Sequence, residues 1–173
     1  MPTVALLNGH AFAGGLMLAT AHDYRLAPSP RGFLCVNELL FGAPLKPPMA
    51  AIFRTKYPSA TYRDMILQAQ RYDAKSALAA GIVDSIASDE SAGGKLGDAL
   101  RFIKERGLVD LPKSGVYGTL KAEMYKDLIR MLASPGLDEE EARWEATQAS
   151  EQERAEFGRV WVEEWKKDQK AKL

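Results

Sequence analysis

The feature that most constrains this chain is a step from a buried strand into a glycine-headed helix, made within its first residues. Val4 to Leu7 is a short apolar, partly β-branched run of the kind a buried strand uses, and it stops at the turn pair Asn8-Gly9. Ala11 to Ala21 then carries almost nothing but small or apolar residues, with Gly14-Gly15 at its head, which places the start of a buried helix near Gly14. The first N–H groups of a helix have no intrahelical partner. Backed by the helix dipole and unshielded by side chains, they can hold an anion or a carbonyl oxygen that gains negative charge during a reaction. Close packing also calls for small residues at such a junction, so this stretch by itself leaves both readings open.

Downstream, Tyr24 to Ala27 reads as a second strand, Pro28 to Gly32 as a turn, and Phe33 to Val36 as a further buried strand that ends at Asn37-Glu38. Glu38 and Asp23 are the only acids before Asp64. A carboxylate between an apolar strand and Leu39-Leu40-Phe41 is expected at the rim of a hydrophobic pocket, where poor solvation favours proton uptake and makes a competent base. The alternative is an exposed turn glutamate. Asp23 suits a structural role, hydrogen-bonding nearby backbone.

With 173 residues, 46% hydrophobic, the chain is long enough for one sizeable core. Lys+Arg and Asp+Glu both number 23, so there is no basic field of the kind nucleic acid or an anionic membrane would select. No run approaches the roughly 20 apolar residues of a membrane span. Met1-Pro2-Thr3 leads into the first strand without a basic leader, and an intracellular chain is expected. The single Cys35 reads as a small buried hydrophobe, and His10 and His22 lack the spacing of a metal site, so no metal is expected.

Helices are expected from Pro47-Pro48, over Thr61 to Gln70 with Met65, Ile66 and Ala69 inward, and through Arg106 with Leu96, Leu100 and Ile103 as the buried stripe. Leu108 to Lys113 reads as a boundary. A helix over Tyr117 to Leu132, with Leu120, Met124, Leu128 and Met131 on one side, is broken at Ser134-Pro135-Gly136. A last helix, Asp138 to Lys170, carries Phe157, Trp161 and Trp165 on one face, which are expected to pack on the core or on a neighbouring subunit.

The stretch P-T-V-A-L-L-N-G-H-A-F-A-G-G-L-M-L-A-T-A-H-D-Y-R-L-A, from Pro2 to Ala27, resembles the signature of the enoyl-CoA hydratase/isomerase, or crotonase, superfamily. Asn37 to Leu45 resembles that family's P-E-x-x-x-G-x-x-P catalytic segment, and Asp73 to Asp84 its helix, glycine turn and returning strand. The resemblance implies an α/β fold: a crotonase-like ββα spiral core, N-terminally truncated, over 1–112, and a C-terminal helical region over 113–173. The family fold begins upstream of a strand like Val4 to Leu7, so the chain is expected to be the C-terminal portion of such a protein. Gly14 would supply an oxyanion-hole N–H and Glu38 would be the catalytic acid/base. Ala13 stands where many members have another glycine.

Met17, expected in the acyl pocket, stands where the hydratases carry a second glutamate. With one carboxylate, the match points to the Δ3,Δ2-enoyl-CoA isomerases of plant and fungal peroxisomes, with a hydratase or a non-catalytic interaction module as alternatives. The implied partners are a fatty enoyl-CoA substrate, with no further cofactor, and copies of the same chain in a trimer. Lys166, Lys167 and Lys170 read as a solvated helix end, with CoA phosphates as the less common alternative. Ala171-Lys172-Leu173 resembles the Ser-Lys-Leu tail bound by the peroxisomal import receptor, so a peroxisomal location is expected.

Overall fold

The computed structural model describes residues 1–133 and 137–171. Ser134-Pro135-Gly136, Lys172 and Leu173 therefore lie outside the described residues, as do the side chains of Lys170 and Ala171. In chain order the elements are β1 (Val4–Leu6), β2 (Ala11–Phe12), α1 (Gly14–Ala21), β3 (Tyr24–Ser29), β4 (Leu34–Cys35), α2 (Glu38–Phe41), α3 (Pro47–Lys56), α4 (Ser59–Leu67), α5 (Ala74–Ala79), β5 (Ser85–Ser88), α6 (Gly94–Glu105), α7 (Tyr117–Met124), α8 (Lys126–Leu132) and α9 (Leu137–Ala171). Met1–Leu132 forms one compact unit, which holds the strands together with α7 and α8, and Ala133–Leu173 forms another.

A parallel sheet of order β1-β3-β5 forms the centre, with Leu6 beside Leu26 and Ala27 beside Ile86. Its two faces are both apolar. Leu7, Ala27 and Ile86 face a cluster with Leu16, Phe53, Met65 and Ile82, while Leu6, Leu26 and Ala87 face Ala99, Phe102 and Leu108. Burial on both faces is why these strands read as unbroken apolar runs instead of alternating ones. Arg25 ties the sheet together from inside: Nε donates to the Ile82 carbonyl at 2.8 Å, Nη1 to the carbonyls of Thr20 and His22, and its backbone N–H to Asp84.

Strand β3 continues through Pro28 and Ser29, where the sequence suggests a turn. Tyr24 N–H and Leu26 C=O bond toward β1, so Pro28, two residues on, directs its missing N–H to the side where β1 has already ended. The absent donor costs nothing there. Gly32 packs against this proline: with a φ of 143°, a Cβ added to it would lie 2.5 Å from the Pro28 ring and 2.9 Å from the Gly9 carbonyl.

Three helical expectations change. On α6 the buried residues are Ala99 and Phe102, with Leu96 and Leu100 62% and 59% exposed. Helix α4 stops at Leu67, and Ala69 is buried outside it in a turn with a φ of 47°. The single helix expected over Tyr117 to Leu132 divides at Tyr125, leaving Leu120 and Met124 exposed and only Leu128 fully buried. On α9, Phe157, Trp161 and Trp165 are exposed. No helix among the described residues is long and apolar enough to cross a membrane.

Candidate active site

A second, two-stranded parallel sheet brings the sequence-predicted residues together. β2 pairs with β4 in the register Ala11 with Leu34 and Phe12 with Cys35. The Ala13 N–H continues that ladder, donating to the Cys35 carbonyl at 2.9 Å, while the Ala13 carbonyl accepts from the Met17 N–H at 3.0 Å. Extending the register by two residues places Gly14, the first residue of α1, beside Asn37, the residue before Glu38. The two-residue β2, too short to show in the sequence, is what sets the head of α1 against the end of β4.

Ala13 reaches this position with φ 48° and ψ −124°, a conformation that a side chain disfavours. Both its backbone groups are committed, and Gly14 and Gly15 follow on the surface with no atom within 4 Å of an added Cβ. Open space thus lies against the helix terminus where the free donors are. Beneath it, Leu16 is wholly buried and closes the floor.

Glu38 is half-buried at the start of α2. Its Oε2 and the neighbouring Asn37 Oδ1 are both buried without a hydrogen-bond partner. Leaving a buried polar atom unpaired costs about 1–3 kcal/mol, so two adjacent ones mark a site that waits for donors. Asn37 precedes α2 yet its side chain does not cap the helix; the Leu40 N–H takes the Asn37 main-chain carbonyl instead. Leu39, Leu40 and Phe41 are exposed and form an apolar rim beside the carboxylate. Sequence alone gave no reason to single out Asn37.

Met17 is half-buried where the main cluster meets a smaller one of Ala51, Ile52 and Leu128, about a turn below the helix head. Cys35 donates its Sγ–H to the Ala69 carbonyl, and burial, reinforced by Glu38 and opposed by Arg71, pushes the thiol up, which suits an unreactive packing residue. Arg71 lies over the rings of both Phe12 and Phe33, bracing the β2–β4 pair from outside. His10 Nδ1 accepts from the Phe33 N–H, and His22 Nδ1 pairs with the Leu18 carbonyl. Among the described residues no three His, Cys, Asp or Glu side chains gather as metal ligands would.

Asp23, at the far end of α1, has a different environment. Its side chain is 9% exposed, and Oδ2 accepts from the Thr3 N–H at 2.8 Å, the Thr3 hydroxyl at 3.0 Å and Lys121 Nζ at 2.7 Å. Burial alone would raise this carboxyl, and the donors from Lys121 and Thr3 outweigh it, holding it below the ordinary value.

The profile of the family described as Enoyl-CoA hydratase/isomerase matches residues 1–164. Enoyl-CoA delta isomerase 3 of Arabidopsis thaliana is 36% identical over 138 residues, covering 76% of this chain and 55% of the relative. The peroxisomal Enoyl-CoA delta isomerase 2 of the same plant is 35% identical over the same shares. The chain thus spans about half the length of the curated relatives it matches. Among solved structures, a probable enoyl-CoA hydratase of Mycobacterium tuberculosis superposes with a TM-score of 0.67 at 22% identity, over 90% of this chain and 61% of that one, which shows a common fold.

Proposed function

Since the chain belongs to the enoyl-CoA hydratase/isomerase family, we propose that it carries the acid/base half of an enoyl-CoA isomerase site, acting on a 3-enoyl-CoA thioester. The observation that carries this reading is the buried, unpartnered Oε2 of Glu38 beside the open helix terminus at Gly14. A carboxylate with a vacant lone pair removes a proton from C2. The thioester oxygen, gaining charge as the dienolate forms, accepts the Gly14 N–H, and the same carboxyl returns the proton at C4. From this chain these steps use one acid/base group, Glu38, and one oxyanion donor, Gly14, and no further cofactor takes part. Exposed Leu39, Leu40 and Phe41 suit an acyl chain, and the apolar Met17 leaves the site without a second carboxylate.

The proposal concerns the whole protein to which these residues belong. Both Arabidopsis relatives are named isomerases, which supports it, and the peroxisomal name of one supports action in that organelle, with Ala171-Lys172-Leu173 as the segment read by an import receptor. The exposed aromatic face of α9 supports assembly with further copies, a trimer in our reading.

The test follows the conjugated 2-enoyl product by absorbance from a 3-enoyl-CoA. We expect Glu38→Gln to lower the rate by ~10²–10⁴; equal rates for parent and variant would remove Glu38 from the mechanism. Asn37 favours hydration as a second reading, because one water could donate to both its free Oδ1 and Glu38. A 3-hydroxyacyl-CoA product lost in Asn37→Val would establish that reading instead.

A further inference from the structure

At the end of α1 opposite Gly14 lies a second hollow. Ala21, Ile52, Lys56, Tyr125, Leu128 and Ile129 line a concavity of about 470 Å³ between α3, α7 and α8, a size within the usual range for small-molecule sites. Its walls are mostly apolar, and of the two lysines that line it Lys121 is paired with Asp23 while Lys56 is not. That Nζ donates to the His22 carbonyl at 3.3 Å and lies 3.9 Å from the centre of the Tyr125 ring. Asp23, one of the two carboxylates that attract it, is already taken by Lys121 and Thr3. Lys56 thus has a carbonyl and an aromatic face where a charged lysine ordinarily keeps water or an acid.

The charged groups around it divide by sign. Arg25 from β3 and Lys121 from α7 repel an ammonium, Asp23 and Asp84 attract it, and Met1 lies at the hollow's edge. Burial first, then Arg25, brings the Lys56 ammonium down to about 8. At pH 7.5 roughly a quarter of such an amine is neutral, against roughly one part in a thousand for an ordinary lysine.

We propose that Lys56 is a site of Nε-acylation, receiving the acyl group of a medium-chain acyl thioester whose tail lies in the hollow. The neutral amine attacks the thioester carbonyl, the N–C bond forms as the C–S bond breaks, sulfur leaves with the electron pair, and the proton shed by nitrogen ends on the thiolate. The products are an amide and free thiol. The proposal rests on the preceding section only for the presence of acyl-CoA, and it needs neither Glu38 nor Gly14.

The experiment incubates the purified chain with octanoyl-CoA or acetyl-CoA and follows each lysine by peptide mass spectrometry. Lys56 is expected to be octanoylated about tenfold faster than the exposed Lys75 and Lys104, the higher neutral fraction being partly offset by a weaker nucleophile. It is also expected to prefer octanoyl over acetyl, and its rate should level off above pH ~8. Ile129→Trp, which fills the hollow from a half-exposed wall, should slow Lys56 alone, and Glu38→Gln should leave its labelling unchanged, separating this site from the isomerase reading. Labelling of Lys56 no faster than of Lys75 and Lys104, or equally by both thioesters, would overturn the proposal.

Discussion

The two ends of α1 treat their acids in opposite ways. At the C-terminal end Asp23 receives three donors at 3.0 Å or less and stitches the start of β1 to α7. At the N-terminal end Glu38 keeps a buried oxygen with no donor, beside an amide oxygen in the same condition. A carboxylate oxygen that accepts three donors contributes to stability and is not free to take a proton from a substrate. An unsatisfied one destabilises the fold and stays available to a substrate. Both acids follow apolar, unremarkable stretches of sequence, and the partners around them distinguish their roles.

The largest effect that separates the two is catalytic. Glu38→Gln should abolish most of the proposed activity while leaving the urea midpoint unchanged or slightly higher. A midpoint that fell as far as that of an Asp23 variant would make Glu38 a structural acid and dissolve the contrast.

Next in size is the stability of Asp23→Asn, which loses charge-assisted bonds and should cost about 2 kcal/mol, read from urea unfolding. Its pH dependence sharpens the point. Asp23 sits below its ordinary value when folded, so its contribution is fully present above the unfolded value of ~3.9 and is lost as pH falls through the lower folded one. Parent and Asp23→Asn should therefore converge in acid. A gap that stayed constant with pH would show that the hydrogen-bond geometry matters and the charge does not.

The smallest effect concerns Ala13. Its φ of 48° is held by the Cys35 and Met17 bonds, so Ala13→Gly should raise stability by under ~1 kcal/mol, relief of strain exceeding the entropy lost, with the rate unchanged. A fall in stability would mean that the alanine side chain packs favourably enough to offset its backbone.

Where one local rule governed, the sequence was readable: the strand into a glycine-headed helix and Pro47-Pro48 opening α3 both follow from short-range chemistry. The motifs drew attention to Glu38 and Gly14, whose strand ends the β2–β4 pair brings together, and Asp23 bonds the backbone as its position suggested. The misjudged parts depended on distant partners. On α6 both faces carry apolar residues, and the sheet selected Ala99 and Phe102 over Leu96 and Leu100. The division at Tyr125 has no glycine or proline to announce it; its ring instead lies under Lys56 of α3. Asn37 could not be singled out, since an unpaired oxygen exists only once every possible donor has been placed elsewhere.

Pro28 works as a ruler. Because it offers no hydrogen on the β1 side, a strand lying there has nothing to accept beyond the Leu26 pairing, and the chain must turn away at Asn8. The turn delivers Ala11 to β4 and so Gly14 to the neighbourhood of Glu38, with Gly32 fitted against the same ring. The spacing between donor and base is thus metered by a proton absent from a neighbouring strand, and lengthening β1 by a single pair would carry the helix head out of reach of its carboxylate.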